Sequence, residues 1–204
     1  MLFYNTPMPA PNPRRVRIFA AEKGIELPMQ DVSLQAREHK SAEFLKLNPM
    51  GQTPVLVLDD GTCLSETVSI CRYLEALHPM PPLFGTSPVE IATVDMWIRR
   101  VELKLGVPTA NIWVHTHPYT AAVVPHQYKD FGESNRPLVA SALKIFDAAL
   151  GETPFLAGEA FSMADIVLLT NIDFGTFIGL TIPEDLARLN DWHRRVSARP
   201  SAAA

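Results

Sequence analysis

Cysteine is scarce in this chain, which has only Cys63 and Cys71 among 204 residues. The two stand eight positions apart, so they form no C-x-x-C pair, and two thiols are too few for a disulfide framework. Both lie in apolar stretches of sequence, where a buried and reduced thiol is the usual state. We therefore expect a cytoplasmic protein that does no dithiol chemistry with its own side chains.

The chain also lacks long apolar runs and an excess of positive charge. No apolar stretch approaches the roughly 20 residues that a membrane-spanning helix needs, and the first residues lack the basic and apolar regions of a signal peptide. The net charge of −4 gives no electrostatic reason to expect nucleic acid or a membrane as a partner. Arg14, Arg15 and Arg17 share one predicted helix, and we interpret them as its solvated face.

The composition is that of an ordinary globular protein, with 47% hydrophobic and 20% charged residues, enough for a proper core. Strand and helix patterns alternate near the N-terminus in the order β-α-β-α-β-β-α, and strand patterns then largely disappear. The proline-rich run 78–82 ends the last of these helices because proline cannot continue it. We predict an α/β domain at 1–79, a linker at 80–87 and an all-helical domain at 88–204.

Three patterns organise the predicted helical domain. One long helix is predicted at 89–117, broken or kinked near Gly106, and a second amphipathic helix at 135–150. Further along, Ser162 and Asp165 have the spacing of a capping box, in which each side chain satisfies the backbone of the other. We therefore assign Asp165 a structural role rather than a catalytic one.

The stretch from Leu47 to Leu77 is the most informative part of the sequence. It reads as a turn, a short strand, a tight turn, a second strand and a helix, whose N-cap is expected at Ser65 with Glu66 in the first turn. Pro54 stands directly before the first of these strands. Proline cannot donate to a sheet, so Pro54 marks either a strand start or a fixed X-Pro turn, the cis form included.

The motif Asn-Pro-Met-Gly-Gln-Thr-Pro-Val-Leu at 48–56, followed by Glu-Thr-Val-Ser-Ile at 66–70, resembles the glutathione-binding half of the glutathione transferase family. The resemblance implies a thioredoxin-like N-terminal domain and a helical-bundle C-terminal domain. It also implies a cytoplasmic enzyme of detoxification, usually a homodimer, that uses glutathione as co-substrate and needs no metal. The second substrate would be a small hydrophobic electrophile.

The resemblance implies that five residues of the motif bind glutathione. The family's proline at Pro54 is cis, Thr53 before it pairs through its backbone with the cysteinyl part, and Gln52 matches a further binding position. Glu66 and Thr67 match the acidic and hydroxyl pair that holds the γ-glutamyl end. A helix N-terminus there suits a carboxylate, although the same residues could simply cap a helix.

Two further groups of residues are candidates for substrate contacts. The segment with His39 and Lys40 resembles the family segment whose basic residues meet the glycyl carboxylate, although such a run before a helix is also common on a surface. Trp113, His117 and Tyr119 belong to the richest aromatic cluster of the helical domain, and we predict that they line the electrophile pocket. His115 and His117 of this cluster stand two positions apart and would point to different helix faces, so no metal site is predicted.

The implied reaction is attack by the glutathione sulfur, so the enzyme must stabilise a thiolate whose thiol has an ordinary pKa near 8.5. In the register set by residues 15–18, Ala10 falls where a serine-type member has its hydroxyl, and alanine cannot donate a hydrogen bond. Asn12 is the predicted substitute, because its amide can donate and the adjacent helix start adds backbone donors and a dipole. Asn12 could instead be the helix N-cap, with Pro13 at the first helical position.

Two other functions remain open on the sequence alone. One is a glutathione-dependent reductase of disulfides or peroxides, in which bound glutathione is the redox thiol. The other is a non-catalytic glutathione-binding module, which Ala10 favours. Tyr4 and Thr6 are further hydroxyl donors but lie away from the family position, within the first strand and four residues before Ala10.

Overall fold

The structure, a computed structural model, describes all 204 residues of the chain. One unit consists of Met1–Leu83 together with Pro200–Ala204, and the other of Phe84–Arg199. No helix has the length and apolar character needed to cross a bilayer. The predicted fold class is confirmed, because a four-stranded mixed sheet with helices is followed by an all-helical unit.

The first unit is built on a sheet with the strand order β2-β1-β3-β4. Its strands are β1 (Leu2–Asn5), β2 (Met29–Asp31), β3 (Val55–Val57) and β4 (Cys63–Ser65). Its helices are α1 (Pro11–Glu22), α2 (Ala42–Leu47) and α3 (Thr67–Leu77). The strands β1 and β2 are parallel, as the intervening helix α1 requires, whereas β1 with β3 and β3 with β4 are antiparallel.

The core of the first unit lies where α1 and α3 pack beside each other and cover the sheet. The side chains of this core with 0% exposure include Phe3, Val16, Ile18, Phe19, Leu56, Ile70 and Leu74, whereas Val55 is buried in a separate cluster with Val32 and Phe44. Burying a side chain of this size contributes roughly 1.5–3 kcal/mol. These contacts hold the two helices whose N-termini are considered below.

Helix α1 begins two residues earlier than the N-cap assignment of Asn12 would require. Ala10 is the N-cap, with extended backbone and no side-chain hydrogen bond, and Pro11 is the first helical residue. The alternative that Asn12 caps the helix is therefore wrong, since Asn12 lies inside the first turn. Both Pro11 and Pro13 fit this turn because its N–H groups have no partner within the helix.

The arginines of α1 do not form a solvated face, contrary to the prediction. Arg14 and Arg15 are each only 7% exposed, and Arg14 Nη2 donates to the carbonyl oxygen of Ala202 at 2.9 Å. Ala202 lies in a 3₁₀ turn (Pro200–Ala203) that packs against α1. These residues lie within the predicted helical domain at 88–204, but in the structure they group with the first unit.

The second unit contains seven α-helices. They are α4 (Pro88–Val101), α5 (Val107–Thr116), α6 (Pro118–Ala121), α7 (Lys129–Ser134), α8 (Arg136–Ala149), α9 (Met163–Phe177) and α10 (Ala187–Ser197). The break predicted near Gly106 is a π-helical turn at Glu102–Gly106 between α4 and α5. Helix α9 is the central element of this unit, because 11 of its 15 residues are buried.

The predicted capping box begins helix α9. Asp165 accepts hydrogen bonds from the Ser162 N–H and hydroxyl, each at 3.0 Å. It also accepts from the Leu156 N–H and from Trp192 Nε1, each at 2.9 Å. Burial raises the pKa of the Asp165 carboxyl and outweighs the hydrogen bonds, which lower it. With four donors around it, Asp165 joins three segments of the helical unit.

Candidate functional site

One end of the sheet gathers the segments in which glutathione-binding residues were predicted. The register pairs Tyr4 of β1 with Val55 of β3, and Val55 with Ser65 of β4. Thr53–Pro54 directly precede Val55, and Glu66–Thr67 directly follow Ser65. Because β3 runs antiparallel to both neighbours, its start lies beside the ends of β1 and β4. The two predicted pairs therefore share one sheet end with the loop that follows β1.

Thr53 is tied to the end of β1 by a side-chain hydrogen bond. Its Oγ1 lies 2.8 Å from Thr6 Oγ1, and the Thr6 hydroxyl also lies 3.4 Å from the Val32 carbonyl oxygen. Thr6 is 8% exposed, so its hydroxyl is engaged within the protein. The peptide bond between Thr53 and the buried Pro54 is cis.

The turn before Thr53 is held by Asn48, which is 3% exposed. Asn48 Nδ2 donates to the carbonyl oxygen of Gln52 at 2.7 Å, and Asn48 Oδ1 accepts from the Met50 N–H at 3.1 Å. The side chain of Gln52 is exposed. The backbone of Gln52 is thus fixed while its amide side chain is open to solvent.

Lys40 and His39 lie against the same turn. Lys40 Nζ donates to the carbonyl oxygens of Gly51 at 2.8 Å and Met50 at 3.3 Å, which leaves one of its three hydrogens for another acceptor. Gly51 has φ +57, and a Cβ on it would lie 2.8 Å from Lys40 Nζ and 2.9 Å from the His39 carbonyl oxygen. His39 Nδ1 is buried without a partner, and burial, with the charges of Lys40 and Arg37, lowers the pKa of His39.

The start of α3 differs in detail from the prediction. Ser65 is the last residue of β4, and Glu66 is the N-cap, with φ 68 and no side-chain capping bond. The first-turn N–H groups therefore have no capping side chain and lie at the positive end of the helix dipole. Thr67 is 6% exposed, and Arg15 Nη1 lies 3.5 Å from its hydroxyl oxygen. These donors and this positive charge suit an anion.

The start of α1 offers fewer backbone donors than predicted. Pro11 and Pro13 have no N–H, and the N–H of Ala10 donates to the Pro7 carbonyl oxygen at 3.3 Å. The N–H of Asn12 is therefore the one first-turn donor left for a ligand, and the Asn12 side chain is exposed beside it. At this helix start, only the backbone N–H and the side-chain amide of Asn12 can donate hydrogen bonds to a thiolate.

The predicted residues Trp113, His117 and Tyr119 come together in the second unit. The ring centroid of Trp113 lies 4.3 Å from that of His117 and 5.8 Å from that of Tyr119. Phe174 and Phe177 of α9 complete the cluster, at 5.4 and 6.0 Å from Trp113. Tyr119 is 49% and Phe177 51% exposed, so one side of the cluster is open. Phe174 and Phe177 could not be predicted as members of this cluster, because residues of every helix face are buried along most of α9 and no single apolar face marks these two.

His117 and Cys71 are both engaged within the protein. His117 Nδ1 accepts from the Tyr119 N–H at 3.2 Å, and no group of three or more His, Cys, Asp or Glu side chains could hold a metal ion. Cys71 is fully buried, and burial raises the pKa of its thiol. Cys63 lies partly exposed on the edge strand β4.

Comparison with known proteins agrees with this architecture. Residues 10–77 match the family model for the glutathione S-transferase N-terminal domain, and residues 112–200 match that for the C-terminal domain. Glutathione S-transferase 2 of Saccharomyces cerevisiae is 38% identical over 98% of this chain and 87% of its own length. Human glutathione S-transferase theta-2 is 32% identical over 91% of this chain and 76% of its own length.

Solved structures show the same fold. Gtt2 from Saccharomyces cerevisiae has a TM-score of 0.94 at 37% identity, covering 100% of this chain and 99% of the other. A Gtt2-class glutathione S-transferase of Vibrio parahaemolyticus has a TM-score of 0.86 at 30% identity, covering 98% and 94%. Since both family domains match and the similarity extends over nearly the whole length, the chain belongs to the glutathione S-transferase family.

Proposed function

We propose that this protein is a glutathione transferase, which binds glutathione as a thiolate and directs it at a small hydrophobic electrophile. The observation that carries the proposal is the grouping of Thr53–Pro54 and Glu66–Thr67 at one end of the sheet. The first pair offers backbone groups to a peptide-like ligand, as an exposed strand does. The second pair offers an uncapped helix start to a carboxylate.

Glutathione would be held along its whole length. The Glu66 carboxylate pairs with the α-ammonium of the γ-glutamyl end, while Thr67 and the first turn of α3 receive its α-carboxylate. The backbone of Thr53 and the side chain of Gln52 hold the cysteinyl part. The pair His39–Lys40 meets the glycyl carboxylate, for which Lys40 retains one ammonium hydrogen.

Asn12 is the proposed activator of the thiol. Lowering the thiol pKa from about 8.5 to about 6.5 would ionise it at neutral pH and needs about 2.7 kcal/mol of preference for the thiolate. One or two hydrogen bonds to a charged group supply energy of that order. Asn12 offers its side-chain amide and the remaining first-turn N–H of α1.

The second substrate would meet the aromatic cluster of the helical unit. The rings of Trp113, His117 and Tyr119 offer an apolar surface that is open on one side, which suits a small hydrophobic electrophile. We extend the proposal to a cytoplasmic homodimer that acts in detoxification, as the family resemblance implies.

A glutathione-dependent reductase of disulfides or peroxides is the second candidate. It is supported by the start of α1, where Asn12 follows Pro11, an arrangement that resembles the one in family members that act as glutathione-dependent disulfide reductases. The protein has no dithiol of its own for this reaction, because Cys71 is buried and the two cysteines form no C-x-x-C pair. Bound glutathione would then be the redox thiol, and thiol exchange with a small disulfide would reveal this activity.

The test is the ultraviolet difference absorbance of enzyme-bound glutathione thiolate as a function of pH. We expect the bound thiol in the wild type to have a pKa at least about one unit below the free value of 8.5, and Asn12→Ala to raise it. The control is Asn190→Ala in α10, which leaves the pKa unchanged. If Asn12→Ala keeps the lowered pKa, the backbone N–H is the activator. Binding without thiolate would contradict the transferase and leave a binding module.

A further inference from the structure

A polar network of Asn5, Asp31 and Arg17 adjoins Thr6, whose hydroxyl contacts Thr53 at the proposed cysteinyl site. Asn5 Nδ2 donates to Asp31 Oδ1 at 2.6 Å, and Arg17 Nη1 donates to Asn5 Oδ1 at 2.5 Å and to the Thr6 carbonyl oxygen at 3.3 Å. Asn5 is 6% and Thr6 8% exposed. Hydrogen-bonded polar groups that are buried in this way have a fixed geometry. The network therefore fixes the end of β1 against β2 and α1.

The Thr6 hydroxyl extends this network to Thr53, 47 residues further along the chain. The Val32 carbonyl, 3.4 Å from Thr6 Oγ1, can only accept a hydrogen bond. When Thr6 donates its one hydrogen to Val32, its oxygen accepts the hydrogen of Thr53 at 2.8 Å. In this arrangement the hydrogen bonds run from Thr53, the residue before Pro54, through Thr6 to the Val32 carbonyl oxygen.

The same network reaches the helix that carries the proposed thiol activator. Helix α1 holds Asn12 in its first turn and Arg17 near its middle. Burial lowers the pKa of Arg17, the charge of Arg14 adds to this effect, and Asp31 opposes it, yet a guanidinium stays charged in proteins. A charged donor in α1 is therefore bonded to the Thr6 carbonyl, and the Thr6 hydroxyl to Thr53.

We infer that Thr6 is a positioning residue, which acts through Thr53 to set where the cysteinyl part of glutathione lies relative to Asn12. The inference rests on the proposed function. It assigns Thr6 no contact with the sulfur, because its hydroxyl is already shared between Thr53 and Val32. Loss of the Thr6 hydroxyl would remove the side-chain bond that ties Thr53 to the end of β1, so both glutathione affinity and thiol ionisation should change.

The test compares Thr6→Val, which removes the hydroxyl, with Thr6→Ser, which retains it. We expect Thr6→Val to raise the glutathione Kd about three- to tenfold, as the loss of one hydrogen bond allows, and to raise the pKa of the bound thiol. Thr6→Ser should stay near the wild type. Calorimetric titration gives the Kd, and the ultraviolet absorbance of the thiolate gives the pKa.

Two further variants separate positioning from mere stability. Thr170→Val removes a hydroxyl that bonds the Ile166 carbonyl oxygen at 2.9 Å within the buried helix α9, and it should lower Tm without changing the Kd. Thr53→Val removes the other half of the pair, so the Thr6/Thr53 double variant should bind no more weakly than either single variant.

The results that overturn the inference are distinct from those that overturn the proposed function. If the wild type binds glutathione and Thr6→Val or Thr53→Val binds it with unchanged Kd and thiol pKa, only the inference fails. Additive effects in the double variant would also overturn it. If the wild type itself binds no glutathione, the proposed function fails with it.

Discussion

Glu66 has a backbone conformation, φ 68 and ψ 120, that residues with a side chain rarely adopt. Arg37 is the one other non-glycine residue with positive φ. Strain of this kind costs on the order of 1–3 kcal/mol and persists at sites where function requires it. Glu66 is also the residue that we propose to pair with the glutathione ammonium, so strain and proposed binding coincide at one position.

We predict that Glu66→Gly gains stability and loses binding. Relief of the strain, less roughly 0.5–1 kcal/mol for the greater freedom of glycine in the unfolded chain, should raise the free energy of unfolding by roughly 1 kcal/mol. Loss of the carboxylate should weaken glutathione binding about tenfold or more. Urea denaturation and calorimetry measure the two effects. Glu66→Gln is the control, because it removes the charge but retains the strain; unchanged affinity in both variants would exclude Glu66 from the site.

At the scale of elements, two helices begin with the same capping device in opposite surroundings. Ser87 and Glu90 form a capping box at the start of α4, as Ser162 and Asp165 do for α9. Glu90 accepts hydrogen bonds from the Ser87 and Thr86 backbones, which lower its pKa to about 2. Asp165 is buried, and burial raises its pKa. Burial or exposure of the acidic residue therefore decides the direction in which its pKa is shifted in a capping box.

The exposed box predicts a dependence of stability on pH. Because the pKa of Glu90 is lower in the folded chain than its ordinary value of 4.5, its contribution is fully present above about pH 4.5 and is lost as pH falls toward about 2. We expect the free-energy difference between wild type and Glu90→Gln to shrink across this window. Denaturant titrations at a series of pH values measure it, and a constant difference would contradict the prediction.

The buried box predicts a large loss of stability. In Asp165→Asn the amide hydrogens would face the Ser162 N–H, so a buried donor loses its acceptor, and we expect a loss of about 2–4 kcal/mol in the free energy of unfolding. Asp191→Asn is the control, because Asp191 pairs with arginines on an exposed part of α10 and should cost less than about 1 kcal/mol. If urea denaturation gives Asp165→Asn no larger a loss of unfolding free energy than Asp191→Asn, the prediction is contradicted.

The order of elements in the first unit could be predicted from the sequence because each element carries its own hydrophobic period and turn residues. The start of α1 could not, since Pro11 and Pro13 both suit a first turn. The motif indicated the pairs Thr53–Pro54 and Glu66–Thr67, and sheet register explains why they share one end. The Thr6 link to Thr53 was missed, because a hydroxyl pair between distant residues leaves no periodic pattern.

At the scale of the whole molecule, the last residues complete the first unit. Arg14 donates to the Ala202 carbonyl across 188 positions of sequence, and the Ser201 hydroxyl bonds the Glu22 carboxylate. Ser201 and Ala202 are 7% and 9% exposed. No local pattern could place Arg14 in a buried position, because the chain that covers it follows the entire helical unit.

We predict that deletion of residues 200–204 destabilises α1. The buried Arg14 would lose a charge-assisted hydrogen bond of about 1.5–3 kcal/mol, so the free energy of unfolding should fall by about 2–3 kcal/mol. Hydrogen exchange should show faster exchange in α1 than in the wild type. Deletion of Ala204 alone is the control and should change neither value. Unaltered protection of α1 in the longer deletion would show that the 3₁₀ turn contributes nothing to this helix.

The position of Pro200–Ala203 also delays the completion of the first unit during synthesis. A ribosome that adds about 5–20 residues per second needs roughly 10–40 s to make the 188 positions between Arg14 and Ala202. Throughout that time α1 has been synthesised, yet its final covering has not. We therefore expect the emerging first unit to expose part of α1 to chaperones and proteases until Pro200–Ala203 have left the exit tunnel.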